Sequence, residues 1–259
     1  MNETLQVIER RKSTRAYSDE PIRLEEKEQI LHAAFRAPTA GNMMLYTIIE
    51  VADQALKDRL AVTCDNQPFI AAAPLVLLFL ADYQRWYDYY LLSGVKERCR
   101  ELDRAYREPQ VGDLLLAACD ALIAAQNAVI AAESLGIGSC YIGDILEQYE
   151  VHRDLFHLPQ YVLPVTLLCF GRPRREQAGA RQTPRFDPRY VCFQNTYRHL
   201  EGEELAAMFA EREQVFKPDV HGGNGSLNFG QANFFRKFTA DFSIEMSRSV
   251  RKMIADWEG

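Results

Sequence analysis

The densest chemistry in the sequence lies at residues 10–15, which read Arg-Arg-Lys-Ser-Thr-Arg. Four cations and two hydroxyls in six residues suit an anion. A guanidinium presents a planar fork of donors that matches phosphate at two points, and hydroxyls add donors beside it. In extended chain, Arg11, Ser13 and Arg15 point to one side and Lys12 and Thr14 to the other. A solvated basic helix end, favoured by the helix dipole, would read the same way. A second candidate is Ala37-Pro-Thr-Ala-Gly-Asn42, a loop of small residues around Thr39 that lets backbone approach a flat ligand closely. An ordinary turn is the alternative. A third is Gly136-Ile-Gly-Ser-Cys-Tyr-Ile-Gly-Asp144. It follows a helical pattern rather than a strand, so it is not the strand–loop–helix dinucleotide fingerprint.

Other machinery is missing. The sequence contains no G-x-x-x-x-G-K-[ST], G-x-S-x-G or H-E-x-x-H, which argues against phosphoryl transfer on a P-loop, serine hydrolysis and zincin chemistry. The six cysteines are scattered with no C-x-x-C pair, as expected of buried thiols in a reducing compartment. The five histidines are dispersed, and His152 and His157 are five apart, off the spacing that puts two ligands on one helical face. A basic anion site without acid–base or metal groups of its own suits a protein whose chemistry is done by a bound phosphorylated cofactor.

The elements that must position these residues follow from periodicity and punctuation. Residues 2–11 read as a short helix capped by Asn2, and 24–36 as a second helix stopped by Pro38. Residues 45–51 are β-like, and Asp53 caps a helix to about Thr63. Residues 74–81 form an apolar run of strand length, as for a strand covered on both faces. Residues 82–112, rich in Tyr, Arg and Glu, read as a helical surface excursion. Residues 113–135 are the strongest helix, ended by Gly136, and so apolar that burial on every side is expected, in the fold's centre or a subunit interface. Strands at 139–142 and 162–170 flank a helix over 145–155. The chain then turns irregular and basic from Gly171, with an extended stretch over 189–197. Helices at about 201–214 and 232–257 close it, around a glycine-rich loop at 221–226. Strands mixed irregularly with helices indicate an α+β fold.

Composition narrows the function. Acidic residues outnumber basic ones by 36 to 30, which argues against a general nucleic-acid binder. The apolar run at 71–81 is too short to cross a bilayer, and the N-terminus lacks the pattern of a signal peptide. The expectation is a cytoplasmic protein with no membrane or nucleic-acid partner.

Taken together, several stretches resemble one family. The run Glu9-Arg-Arg-Lys-Ser-Thr-Arg-Ala-Tyr-Ser-Asp-Glu-Pro-Ile22 is similar to the opening signature of the flavin-dependent nitroreductases. Further stretches resemble other segments of that family: the Pro38–Asn42 loop, the helix ending at Gly138, the Tyr141-Ile-Gly143 turn, the stretch from Leu158 to Pro173, and Pro184-Arg185 followed by Asn195-Thr-Tyr197. The resemblance spans about residues 3–200 and points to the larger oxygen-insensitive nitroreductase and flavin reductase branch.

The resemblance implies a nitroreductase-like α+β fold, with a central mixed sheet flanked by helices. It implies an interlocked homodimer with FMN at the interface and an extended C-terminal arm around the partner. Residues 1–200 would be the FMN-binding core, with the excursion at 82–112, and 201–259 a C-terminal helical extension. Arg11, Lys12 and Ser13, beside Thr14, would hold the FMN phosphate together with Arg185. Arg15 and Gln67 would face the pyrimidine edge of the ring. Thr39 would reach the cofactor from the partner subunit. Tyr141, Ile142, Gly143 and Asp144 would run past N5.

The implied activity is ping-pong hydride transfer from NAD(P)H through flavin N5 to a small aromatic acceptor: a nitroaromatic, a quinone or free flavin. A flavin-binding sensor or carrier, or a specialised reductive flavoenzyme, are the alternatives. Three positions depart from the pattern: Lys12 replaces an arginine, Asp144 replaces a second glycine, and Thr183 replaces a lysine near the phosphate. Trp86, Tyr87, Tyr89 and Tyr90 in the excursion could stack on aromatic acceptors, or could form an ordinary amphipathic helix.

Overall fold

A computed structural model describes residues 1–174, 182–218 and 225–259. Arg175, Arg181 and positions 221–224 of the glycine-rich loop lie outside the described residues. The chain divides into two compact units, residues 1–180 with 245–259 and residues 181–244.

Local signals set most boundaries in the first unit. Helix α1 (Glu3–Arg10) starts where the Asn2 side chain accepts a hydrogen bond from Leu5 N at 3.0 Å. Helix α2 (Leu24–Phe35) and strand β1 (Tyr46–Glu50) follow. Asp53 caps α3 (Gln54–Thr63) by accepting from Leu56 N. A single turn, α4 (Pro68–Ala71), leads to β2 (Leu75–Asp82). The excursion is two helices, α5 (Gln84–Leu92) and α6 (Val95–Glu101). Helix α7 (Val111–Ser134) gives way to Gly136 in the left-handed region, φ 72°. Strand β3 (Gly138–Ile142) follows directly. The helix expected over 145–155 is shorter: a 3-10 turn, Gly143–Leu146, precedes α8 (Tyr149–Leu155), and β4 (Val162–Gly171) comes next.

The four strands lie in the order β1-β2-β4-β3, and every neighbouring pair is antiparallel. This corrects the expectation of a mixed sheet. The parallel element is a single bridge, Ser13 to Ser139, because the segment after α1 is pinned to β3 at one point rather than laddered along it. Strand β2 is buried along its whole length, as its apolar run predicts. Its residues alternate between two cores. Val76, Leu78 and Leu80 pack with Leu60, Cys64 and Ile70 on one face. Leu75, Leu77 and Phe79 pack with Ile30 and Ala34 of α2 and the alanines of α7 on the other. Each such leucine contributes about 1.5–3 kcal/mol through burial.

Helix α7 is buried on one face within the single chain. Ala117, Ala121, Ala124, Ala125, Ala128 and Ala132 face inward, where small side chains let α2 and the sheet approach closely. Leu115, Leu116, Leu122 and Ile123 are exposed in the single chain. Among the described helices it is the one long and apolar enough to cross a membrane, yet it carries buried Asp120 and lines the core with its alanine face.

In the second unit, a 3-10 turn (Pro188–Tyr190) precedes α9 (Gly202–Val215) and α10 (Phe229–Lys237). The single helix expected over 232–257 is two, and the second, α11 (Asp241–Glu258), ends in the first unit. There Trp257 is fully buried edge-on to Tyr161, with ring centroids 5.4 Å apart. Arg248 pairs with Glu150 at 2.7 Å. From Glu245 onward this helix packs into the first unit.

Candidate functional site

Residues 12–18 run extended beside β3 and the end of β4. Thr14 N donates to Ser139 O at 2.9 Å, Ser18 N donates to Arg172 O at 2.9 Å, and Tyr17 bridges Pro173. Side chains 13–15 alternate as extended chain requires, and a bend at Ala16 then turns Tyr17 inward as well. Thr14 and Tyr17 are buried, packed against Gly138 and Gly171, two positions where a β-carbon would collide with them. Ser13 and Arg15 are exposed on the opposite side. The Thr14 side chain is thus packed away against Gly138, whereas those of Ser13 and Arg15 are open to solvent.

The basic cluster is anchored by the end of α7. Arg10 Nη2 donates to Glu133 O at 3.0 Å and its Nε lies 3.7 Å from the Glu133 carboxylate. Burial raises the Glu133 carboxyl, and Arg10, Arg11 and Lys12 oppose that rise. Arg10 is thus tied to the scaffold, with Arg11 and Lys12 beside it.

Strand β3 supplies the wall next to these cations. The Cys140 thiol is buried, and burial raises it against the nearby Arg15, Ser13 and Arg11. Tyr141, on the outer face, donates to Gln126 Oε1 at 3.1 Å. Burial pushes its phenol up to about 12, with Arg11 opposing. Ile142 turns into the core. Around Gly143 a β-carbon would meet nothing within 4 Å, so the chain there borders open space.

The far side of this wall is closed by α4 and the residue before it. Arg15 lies over the Phe69 ring, 5.8 Å from its centroid. Gln67 Nε2 donates to Cys64 O at 2.9 Å and to Asp144 Oδ2 at 2.7 Å. One face thus gathers Arg11, Ser13, Arg15, Tyr141, Gly143, Asp144 and Gln67 from three separate stretches of chain. It can bind an anion at one end and hydrogen-bond a polar ring edge at the other.

Thr39 stands elsewhere in the first unit, and Arg185 belongs to the second. Thr39 donates through Oγ1 to Asp120 Oδ2 of α7, and Ala40 N and Leu45 N also donate to that carboxylate, at 3.0 and 3.2 Å. Asp120 and Glu133 are thirteen residues apart on one helix, about 20 Å along its axis, so the Thr39 loop and the Arg10 anchor occupy distant parts of α7. Arg185 lies in the second unit, where its Nη1 donates to Thr183 O at 2.9 Å. It lines a cavity there with Phe186, Arg189 and Arg212.

The excursion aromatics pack largely on one another. Trp86 Nε1 donates to Met43 O at 2.8 Å, and its ring meets Tyr89 and Tyr90 with centroids 6.1 and 5.8 Å away. Tyr83, Tyr87, Tyr90 and Tyr106 line a separate cavity of about 290 Å³.

Sequence reasoning missed Asp120 and Glu147. Asp120 had a signal, since it is the lone charge in the apolar run 114–132. Glu147, in a polar turn, had none.

The matching family model is the nitroreductase family, over residues 8–172. An FMN reductase [NAD(P)H] of Bacillus subtilis (strain 168) is 34% identical over 235 residues, 90% of each chain. An oxygen-insensitive NADPH nitroreductase of Salmonella typhimurium (strain LT2) is 31% identical over 82% of this chain and 81% of its own. Among solved structures, NfrA2 of B. megaterium superposes with a TM-score of 0.78 at 29% identity, over 99% of this chain and 98% of its own. The shared fold, the antiparallel sheet with the basic segment bridged to its edge and these matches lead to one conclusion: the chain belongs to the nitroreductase family.

Proposed function

We propose that the chain is a cytoplasmic, homodimeric FMN-dependent NAD(P)H oxidoreductase that reduces small aromatic acceptors such as nitroaromatics, quinones or free flavin. One observation carries the reading: Arg11, Ser13 and Arg15 stand on the same side of the 12–18 segment, beside Tyr141, the open space at Gly143, and Gln67.

This donor set fits FMN. Arg11, Lys12 and Ser13 supply cations and a hydroxyl for a phosphate, and Gly143 leaves room for a flat ring. Arg15 and Gln67 supply a charge and an amide for the polar ring edge. Bound FMN would supply hydride chemistry between a reduced nicotinamide and the acceptor. The protein's part is positional and electrostatic. The Arg15 charge, held over the Phe69 ring, favours a ring that has gained electrons. The relatives' names, FMN reductase and NADPH nitroreductase, support the same donor and cofactor.

The exposed leucines of α7 support a second copy. Leu115, Leu116, Leu122 and Ile123 form an apolar stripe that association would bury. A second copy could also bring its Thr39 loop to the site, which the single chain holds far along α7.

The test is the visible absorption spectrum of the purified protein before and after anaerobic addition of NADPH. A flavin spectrum that bleaches is the expected result. A bound flavin that neither NADPH nor NADH can reduce, or no flavin after incubation with excess FMN, would overturn the reading.

A further inference from the structure

Glu147 is a buried carboxyl that the proposed chemistry leaves unused. It is 4% exposed, and its Oε1 has no hydrogen-bond partner in the structure. Its backbone N–H donates to Asp144 O at 3.0 Å, closing a tight turn that holds the two carboxyl groups together. Asp65 and Glu245 also bear on it, Glu245 being held by Arg248. The Cys64 thiol and the backbone-bonded His152 ring, itself near Arg59, complete the surroundings. Burial, then Asp144, Asp65 and Glu245, push the Glu147 carboxyl up to about 8.

Asp144, beside Glu147, also accepts from Gln67. The Gln67 NH₂ group has two hydrogens, and both are committed, one to Cys64 O and one to Asp144 Oδ2. A carbonyl and a carboxylate can only accept, so this environment sets which end of the amide is nitrogen. What Gln67 retains for a ligand is Oε1, an acceptor. The pyrimidine edge of a flavin carries one donor, N3–H, between two carbonyls. If Asp144 held the proton it could donate to Gln67 Oε1, and the amide would turn its donors outward instead.

We infer that Glu147 is a positioning residue: it keeps the one proton of an Asp144–Glu147 acid pair, so that Asp144 stays an acceptor and Gln67 presents its carbonyl oxygen to an imide N–H. The inference rests on the FMN reading above. It gives the departure at Asp144 a purpose, since a glycine there could not orient Gln67. When Glu147 ionises, two carboxylates adjoin in a buried turn, and repulsion moves Asp144 off Gln67.

The experiment compares binding of FMN and N3-methyl-FMN, by quenching of flavin fluorescence, at about pH 6.5 and about pH 9, on either side of the Glu147 ionisation. Wild type should prefer FMN by about 3–10-fold at the lower pH, the worth of one net hydrogen bond, and should lose most of that preference at the higher pH. Glu147→Gln, which keeps a neutral donor toward Asp144, should hold the preference at both. Asp144→Ala should lack it at both. An infrared band of a protonated carboxyl, present in the flavin-free wild type near neutral pH and absent in Glu147→Gln, reads the shared proton directly.

FMN binding with no preference over N3-methyl-FMN at the lower pH overturns this inference alone. So does a Glu147→Gln variant that follows the wild-type pH dependence, or the absence of the infrared band. No FMN binding by wild type at either pH overturns the functional reading and this inference with it.

Discussion

Thr14 lies so close to Gly138 that a β-carbon on the glycine would come within 2.7 Å of Thr14 Cβ. This contact, with the bond from Thr14 N to Ser139 O, holds the Arg11–Arg15 segment against β3. Gly138→Ala should therefore displace the segment. The expected cost is about 1–3 kcal/mol in urea unfolding, with a loss of FMN affinity beyond that of Gly112→Ala, where a β-carbon meets nothing within 4 Å. Equal FMN affinity in the two variants would contradict the clamp.

Asp120 should be a large single contributor to the Thr39 loop. It is buried and receives Thr39 Oγ1, Ala40 N and Leu45 N. Replacing it with Ala leaves those donors without their acceptor, at about 2–4 kcal/mol for bonds to a buried charge. Urea denaturation measures this, and hydrogen exchange should speed up at Ala40 and Leu45 first. A loss under 1 kcal/mol would show that the loop is held by packing alone, on a scale where about 1 kcal/mol is one ordinary bond.

The two neighbouring cations should behave differently. Arg10 is committed to Glu133, whereas Arg11 stands toward Tyr141. Arg11→Ala should weaken FMN binding about 10–100-fold, as for loss of a charge-assisted contact to phosphate. Arg10→Ala should act mainly on stability. A fluorescence titration that ranks Arg10→Ala as the weaker binder would reverse the assignment.

Leu122→Asp puts a charge on the exposed apolar stripe of α7. The expected outcome in analytical ultracentrifugation is a shift from dimer toward monomer, with reduced FMN retention, while the far-ultraviolet circular dichroism stays that of the wild type. A wild-type protein that sediments as a monomer would remove the reason for the stripe.

Stability should fall from about pH 6.5 to about pH 8 through Glu147. Its folded pKa is raised to about 8 from an ordinary 4.5, so the folded state binds more protons than the unfolded one across that interval. The stability it contributes is full below 4.5 and is lost as pH rises through 8. His152 has the opposite sign. Burial lowers its pKa from the ordinary 6.5, so its contribution is full above 6.5 and is lost as pH falls below it. Below 6.5 the two slopes oppose each other, and above it Glu147 acts alone. Urea midpoints measured across this range should decline toward alkaline pH in wild type and stay level in Glu147→Gln.

Much of the fold was legible because its signals are local. Asn2 and Asp53 cap helices three residues ahead of their donors, Gly136 ends α7, and the unbroken apolar run of β2 announces a strand covered on both faces. The alternation of Thr14 against Ser13 and Arg15 also followed from extended geometry alone. These effects act within a turn or two of chain, so residue order determines them.

The rest depended on which distant segments meet. Sheet order decided that neighbours run antiparallel, and it placed Ser139 against Ser13. It joined Gln67 to Asp144 across 77 residues and Thr39 to Asp120 across 81. Helix α7 was legible as apolar, but only packing separated its alanine face, buried, from its leucine face, left open. Glu147 shows the division most sharply. In sequence it is one more acidic residue in a polar turn. Its proton is set by burial and by carboxylates from other elements, and those exist only once the chain has folded.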